Sequence, residues 1–341
     1  MLRDPETAIA VRERTTLPVL LAADFAELRA FYDDLDAKVA LYCNNSPSNF
    51  DSLLDNRMLH VHINHGESDK QSMASNNAKS YDRVFVAGQA AVERYESALL
   101  EFDAEDRLVR IGRPQLDLER APALTPSTRR TVLYAPTWED DADYNNYSSV
   151  DTIGAQIVQQ VLDVPGVRLV YKPHPRVVVS ADPGVSSAHR QILGQVADAA
   201  AGDPAAGHCS LLDADILAVM PECDAIVTDV SSVGLDWLYL RTDRPLFIAD
   251  RHDDPERLRL AAPVSRCADI VDSDQVHQLT ELVTARLEHD VLHLARIAMR
   301  NHYFDDVRVG DSTAHFLDAV TELVTLRDTL LRGWVDDAIA T

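Results

Sequence analysis

Short apolar runs rich in β-branched residues alternate along the chain with stretches whose apolar positions recur at helical spacing. In the first third the runs are LPVLLAA (17–23), KVALYC (38–43), MLHVHI (58–63), RVFVA (83–87) and LVRIG (108–112). Helical patterns near 24–34, 67–79 and 89–100 separate them. Strands alternating with helices predict βαβ units and a parallel sheet. A stretch with three prolines and no clear period, RPQLDLERAPALTPSTRR (113–130), reads as a linker. The alternation then restarts. Strands are expected at 131–136, 167–173, 210–213, 224–229, 245–249 and 269–272, and helices near 150–163, 185–200 and 231–240. From Asp311 onward the pattern is one long helix, with Phe316, Val320, Leu323, Leu330 and Trp334 mostly on one face. The expected fold is α/β, with two doubly wound Rossmann-like domains facing a cleft. The expected division is 1–125, 126–310, and a C-terminal helix over 311–341 that packs back on the body.

Composition narrows the function. Hydrophobic residues make up 46% and charged residues 26% of the 341, enough to build a core and too apolar for a disordered chain. No run approaches 18 apolar residues, so no transmembrane segment is expected. The start, MLRDPETAIAVRERTT, lacks the apolar region of a secretory signal. A formal charge of −23 argues against nucleic acid as a partner and against broad attraction to an anionic membrane. The four cysteines (Cys43, Cys209, Cys223, Cys267) show no metal-ligand spacing and read as buried, reduced thiols.

Four clusters could carry chemistry, each where a strand is expected to end. In HINHGESDK (62–70), His65 could act as a general base. Gly66 would permit close approach of backbone, and Lys70 is expected one turn into a following helix. In YKPHP (171–175), two prolines stiffen the backbone around His174. Lys172 and His174 alternate along it and point the same way, as two donors for a phosphate would. In DAIVTDVSSVGLDWLYL (224–240), a helix starting at Ser231 and Ser232 offers free N–H groups and its positive dipole end to an anion. YAPTWEDD (134–141) brings Pro136 and then the side chains of Thr137 and Trp138 to a fourth strand end. The acidic stretches 139–149 and 249–256 follow strands and are candidates to rim the same site. Taken singly, each cluster fits a plainer role as a strand exit, cap or solvated loop. His60 and His62 share a strand face without further ligands and read as strand residues near the sheet centre.

Together and in this order, the clusters resemble the CDP-glycerol glycerophosphotransferase family of teichoic-acid primases and polymerases. The matching motifs are His65-Gly66 with Lys70, Ala135-Pro136-Thr137, Lys172-Pro173-His174-Pro175, and Thr228-Asp229-Val230-Ser231-Ser232 with Asp236. Gly112-Arg113-Pro114 with Asp117 matches the family's junction between domains. The chain departs at Asn64, where the family commonly has Trp, and at Glu139, where it commonly has a basic residue.

The resemblance implies a GT-B fold and metal-independent, cofactor-free transfer of glycerol phosphate from CDP-glycerol, releasing CMP. The implied acceptor is a polyol-phosphate or glycan of a cell-wall or capsule precursor, including lipid-linked ones, at the cytoplasmic face of the membrane. It assigns catalysis to His65 and His174. Donor binding falls to Gly66, Lys70, Pro136, Thr137, Lys172, Thr228, Ser231, Ser232 and Asp236. Two alternatives stay open. One is a GT-B glycosyltransferase using CDP-ribitol or a CMP- or UDP-sugar, and the other is a non-catalytic nucleotide-binding module.

Overall fold

The computed structural model describes residues 1–140 and 142–340, with side chains as far as residue 333. Two parallel sheets organise the chain. The first contains β1 (Val39–Tyr42), β2 (Leu59–His62), β3 (Arg83–Val86) and β4 (Leu108–Arg110), side by side in that order. The second contains β5 (Arg130–Ala135), β6 (Val167–Tyr171), β7 (Cys209–Ser210), β8 (Ala225–Thr228), β9 (Leu246–Ala249) and β10 (Asp269–Val271). Its order is β10-β9-β8-β5-β6-β7.

The sheets are built differently, and this positions the site. In the second, β5 pairs with both β6 and β8, so the winding reverses there and opens a crevice at the strands' carboxyl ends. Strands β6, β8 and β9 are buried along their whole length, as expected with helices on both faces. Helices Gly154–Leu162, Pro183–Gly202 and Leu279–Glu288 cover one face, and Ser232–Leu240 with His293–Phe304 the other. The first sheet winds one way only. Val84, Val86 and Leu108 pack under Ala91, Val92 and Tyr95 of the helix Gln89–Ala98. The opposite face, with Val61, Phe85 and Ile111, is covered by Phe316, Ala319, Val320 and Leu323 from the helix Ser312–Ala340. That helix therefore returns from the second lobe to complete the first. Leu330 stays half-exposed, and Trp334 lies outside the residues whose side chains are described.

Three expectations change. Segment 17–23 is not a strand: Leu2 and Leu21 form a single bridge, Leu17 is exposed, and Pro18 has no N–H to give a ladder. Segment 67–79 folds as two short 3-10 turns, Gln71–Met73 and Asn76–Ser80. Its Ser and Asn residues compete for backbone hydrogen bonds, as where Ser68 Oγ accepts from the Lys70 amide. Of the thiols only Cys223 and Cys267 are buried, while Cys43 is exposed.

The lobes are joined by more than a linker. Ala87 and Ala90 enter the core of the second lobe beside Tyr303 and Phe304. Asp117 accepts from the amides of Gly310 and Thr313 and so caps the returning helix from the junction. No described helix is long and apolar enough to cross a membrane.

Candidate active site

The carboxyl ends of β2, β5, β6 and β8 converge on a cavity of about 430 Å³ between the lobes. His65, Gly66, Lys70, Pro136, Thr137, Lys172, His174, Ser231 and Ser232 all line it. Two of the expected binding residues do not. Thr228 is fully buried and donates to the Ala135 carbonyl at 2.7 Å, tying β8 to β5. Asp236 points away from the cleft into a buried ion pair with Arg113 of the junction.

The first lobe contributes the turn after β2. Asn64 occupies the left-handed region (φ 53°), which asparagine tolerates far better than a bulky aromatic would. Its side chain accepts from the His65 amide at 2.7 Å. His65 Nδ1 lies 2.8 Å from the Cys43 carbonyl, which can only accept, so Nδ1 carries the proton and Nε2 keeps a free lone pair. At Gly66 a Cβ would stand 3.4 Å from Ser232 Oγ, at contact distance, so this turn meets the helix start of the other lobe.

Lys70 is not helical but sits in extended backbone just before a 3-10 turn. Its ammonium stands 5.5 Å from the Trp138 ring, and burial lowers its pKa against the pull of Asp140 and Asp229. Its neighbour Asp69 faces the other way. Asp69 pairs with Arg94 at 2.9 Å and accepts from Tyr303 Oη, which fixes the turn to both lobes.

The second lobe contributes three strand ends. Lys172 is buried, donates to the Pro173 carbonyl, and has its pKa lowered by desolvation. His174 Nδ1 accepts from the Arg176 amide at 3.2 Å, so the neutral ring carries its proton on Nε2. Burial first, then the cations of Arg176, Lys172 and Lys70, push His174 down to about 4. The two histidines are therefore complementary: His65 offers a lone pair and His174 an N–H.

Ser231 is the N-cap of Ser232–Leu240, yet its side chain caps nothing and its buried Oγ has no partner. The helix start is thus open toward the cavity. Beneath it, Asp229 accepts from the Thr137 and Ser149 amides and is pushed up to about 7, mainly by burial.

Trp138, which the sequence places at its strand end, faces the cavity, as do Asp140 and Asn145; sequence reasoning missed Arg176, Met73 and Ile216, which line it too. Asp140 and Asn145 come from the acidic stretch 139–149, as its position predicted. The stretch 249–256 braces that loop from behind, with His252 against the Asn146 carbonyl and Arg251 on the Ser148 carbonyl. Glu139 turns away to accept from Ser180. His60 is held by Tyr42 and the Asp55 carbonyl, and His62 stacks on Tyr81. No group of three or more His, Cys, Asp or Glu among the described residues could hold a metal ion.

Two lobes around a cleft that opens at a sheet's switch point define a GT-B-type fold. The model of the CDP-glycerol:poly(glycerophosphate) glycerophosphotransferase family matches residues 59–255, more than half of the chain. The chain belongs to that family and is a transferase. The fold is similar to that of the wall teichoic acid polymerase TagF. One TagF variant structure aligns with a TM-score of 0.62 at 15% identity, over 93% of this chain and 80% of that one. A CDPG-soaked TagF structure gives 0.60 at 14%, over 96% and 80%. An S. aureus MnaA–UDP co-structure gives 0.51 at 13%, over 89% and 78%. At these identities the likeness concerns the fold. Among curated protein sequences none matches this chain.

Proposed function

We propose that the protein transfers glycerol phosphate from CDP-glycerol to a hydroxyl of a polyol-phosphate or glycan acceptor, releasing CMP. The observation that carries this reading is the pairing of two histidines with opposite open nitrogens across one cationic cleft. His65 Nε2 takes the proton of the acceptor hydroxyl as its oxygen attacks the phosphorus bearing glycerol. The bond from that phosphorus to the CMP oxygen breaks. Lys70, Lys172, the His174 Nε2–H and the open helix start at Ser231 and Ser232 meet the charge that develops on the transferred group and on CMP. The step uses protein groups throughout and calls on no cofactor or metal. The division at 1–125, 126–310 and 311–341 is proposed with it, supported by one sheet on each side of the junction. The acceptor is proposed as a cell-wall or capsule precursor, including lipid-linked ones reached at the inner membrane face.

The test is incubation with CDP-glycerol, with and without a glycerol-phosphate-primed acceptor, following CMP by chromatography. Acceptor-dependent CMP is the expected result. His65→Ala should lower the rate by at least about a hundredfold while CDP-glycerol still binds. If that variant kept most of its activity, the base would have to be another group.

A further inference from the structure

The segment that carries Lys70 is a single strand of chain between two cavities. Lys70, Ser72 and Met73 face the cleft. Asp69, Gln71 and Ala74 face a second cavity of about 630 Å³, closed on its far side by Arg94, Leu260 and His302. The alternation follows from the extended backbone at Lys70, which sends neighbouring side chains to opposite sides. With open space on both sides, close packing does not fix this wall, and its hydrogen bonds must. Within the first lobe, Arg94 donates to Glu67 at 3.3 Å and to Asp69 at 2.9 Å, and the Ala87 amide donates to Glu67 at 3.0 Å. Arg113 of the junction donates to the Glu67 carbonyl at 3.2 Å. From the second lobe, Tyr303 Oη donates to the other Asp69 oxygen. The Val264 amide is shared between Tyr303 Oη at 2.9 Å and that same oxygen at 3.4 Å.

Tyr303 is buried and does not line the cleft. Its hydroxyl is the one second-lobe side chain bonded to the Asp69 carboxylate, 234 residues away in sequence. Asp69 in turn adjoins Lys70 on a wall too thin to hold itself. We propose that Tyr303 is a positioning residue for the transfer reaction: through Asp69 it holds Lys70 against the cleft, so that the ammonium of one lobe is placed by a hydroxyl of the other. The site is then completed by the docking of the lobes and not by the fold of each lobe alone. This inference rests on the transferase reading of the cleft and adds to it a residue that lies outside the cleft.

Tyr303→Phe removes the hydroxyl and keeps the ring beside Phe304. With CDP-glycerol and acceptor saturating, kcat for CMP release should fall about tenfold, as a small misplacement of a charged group does. In a Lys70→Met background the same change should alter kcat by less than about twofold, because the ammonium it acts through is gone. A tyrosine that only stabilised the fold would lower kcat by the same factor in both backgrounds. That result, or an unchanged kcat in Tyr303→Phe alone, overturns the inference. Amide hydrogen exchange followed by mass spectrometry reads the wall without activity. Exchange over 67–75 should quicken at least about threefold in Tyr303→Phe, while 136–149 keeps its wild-type rates. Unchanged exchange over 67–75 likewise overturns the inference. Faster exchange there, in a chain that releases no CMP from CDP-glycerol, would leave the hold of Tyr303 on the Lys70 wall standing and overturn the donor reading instead.

Discussion

At the scale of single residues, two histidines share a depressed pKa for different ends. His174 is pushed down to about 4 at the cleft by burial and by the nearby cations of Arg176, Lys172 and Lys70. His62 lies in the first sheet, stacked on Tyr81 at 5.1 Å, with Nε2 buried and unpartnered. Burial and the proximity of His65 bring it down to about 4 from 6.5. Between those values the unfolded chain binds more protons at this residue than the native one, so stability falls as pH drops through the window. His62→Phe removes that contribution and keeps the stack. From pH 6.5 to about 4, the variant's unfolding temperature should fall by about 2 °C less than that of the wild type, or a wider margin still. Equal falls, followed by differential scanning fluorimetry, would show that His62 keeps its ordinary titration.

Elements set what each motif does. His65-Gly66 and Lys70 were legible as a cluster, but not as a turn followed by extended backbone. The expected helix over 67–79 gives way because Ser68, Ser72, Ser75 and Asn76 favour local turns and Asp69 is claimed by Arg94 and Tyr303. Neither partner of Asp69 is near it in sequence. Gly88 shows the same dependence on distant chain. Its backbone is extended, so conformational freedom is not the reason for glycine. A Cβ there would stand 2.5 Å from the Tyr303 carbonyl oxygen and 3.0 Å from Phe304 Cα. Gly88→Ala must push the helix Gln89–Ala98 off His293–Phe304, at a cost of roughly 1–3 kcal/mol. A lower urea midpoint with an unchanged slope is the expected signature.

For the molecule as a whole, the junction is a lock between lobes. Gly112 takes a left-handed backbone (φ 72°) beside Ser312, whose Oγ accepts from the Arg113 amide at 2.9 Å. Arg113 then reaches Asp236 on the helix that begins at the cleft. Burial raises the Asp236 pKa in spite of that guanidinium. Arg113→Ala would strand the carboxylate in the interior and should cost roughly 3–5 kcal/mol in chemical denaturation. The double change Arg113→Met with Asp236→Leu should restore most of that stability, since a buried ion pair is commonly replaced by apolar groups at little cost. If the double variant were as unstable as the single one, the pair would be doing more than neutralising itself. Because Asp236 shares a helix with Ser231 and Ser232, both measurements also report on how firmly the helix start faces the cavity.

Alternation of apolar runs with helical periods settled the two parallel sheets, since a strand buried on both faces and a crossover helix leave different local spacings. The motifs at strand ends pointed to one cavity, because parallel strands all deliver their carboxyl ends to one side. Those signals are local and survive in the bare sequence. Which motif residue faces the cavity was decided only by tertiary contacts. Thr228 turned to β5, Asp236 to a partner 123 residues away, and Lys70 into an extended wall, while Arg176 came forward onto Trp138. The returning helix likewise found its sheet only through packing, with Phe316 against Phe85. Such choices depend on charges and surfaces that meet only when the lobes close on one another, and neither spacing nor periodicity records them.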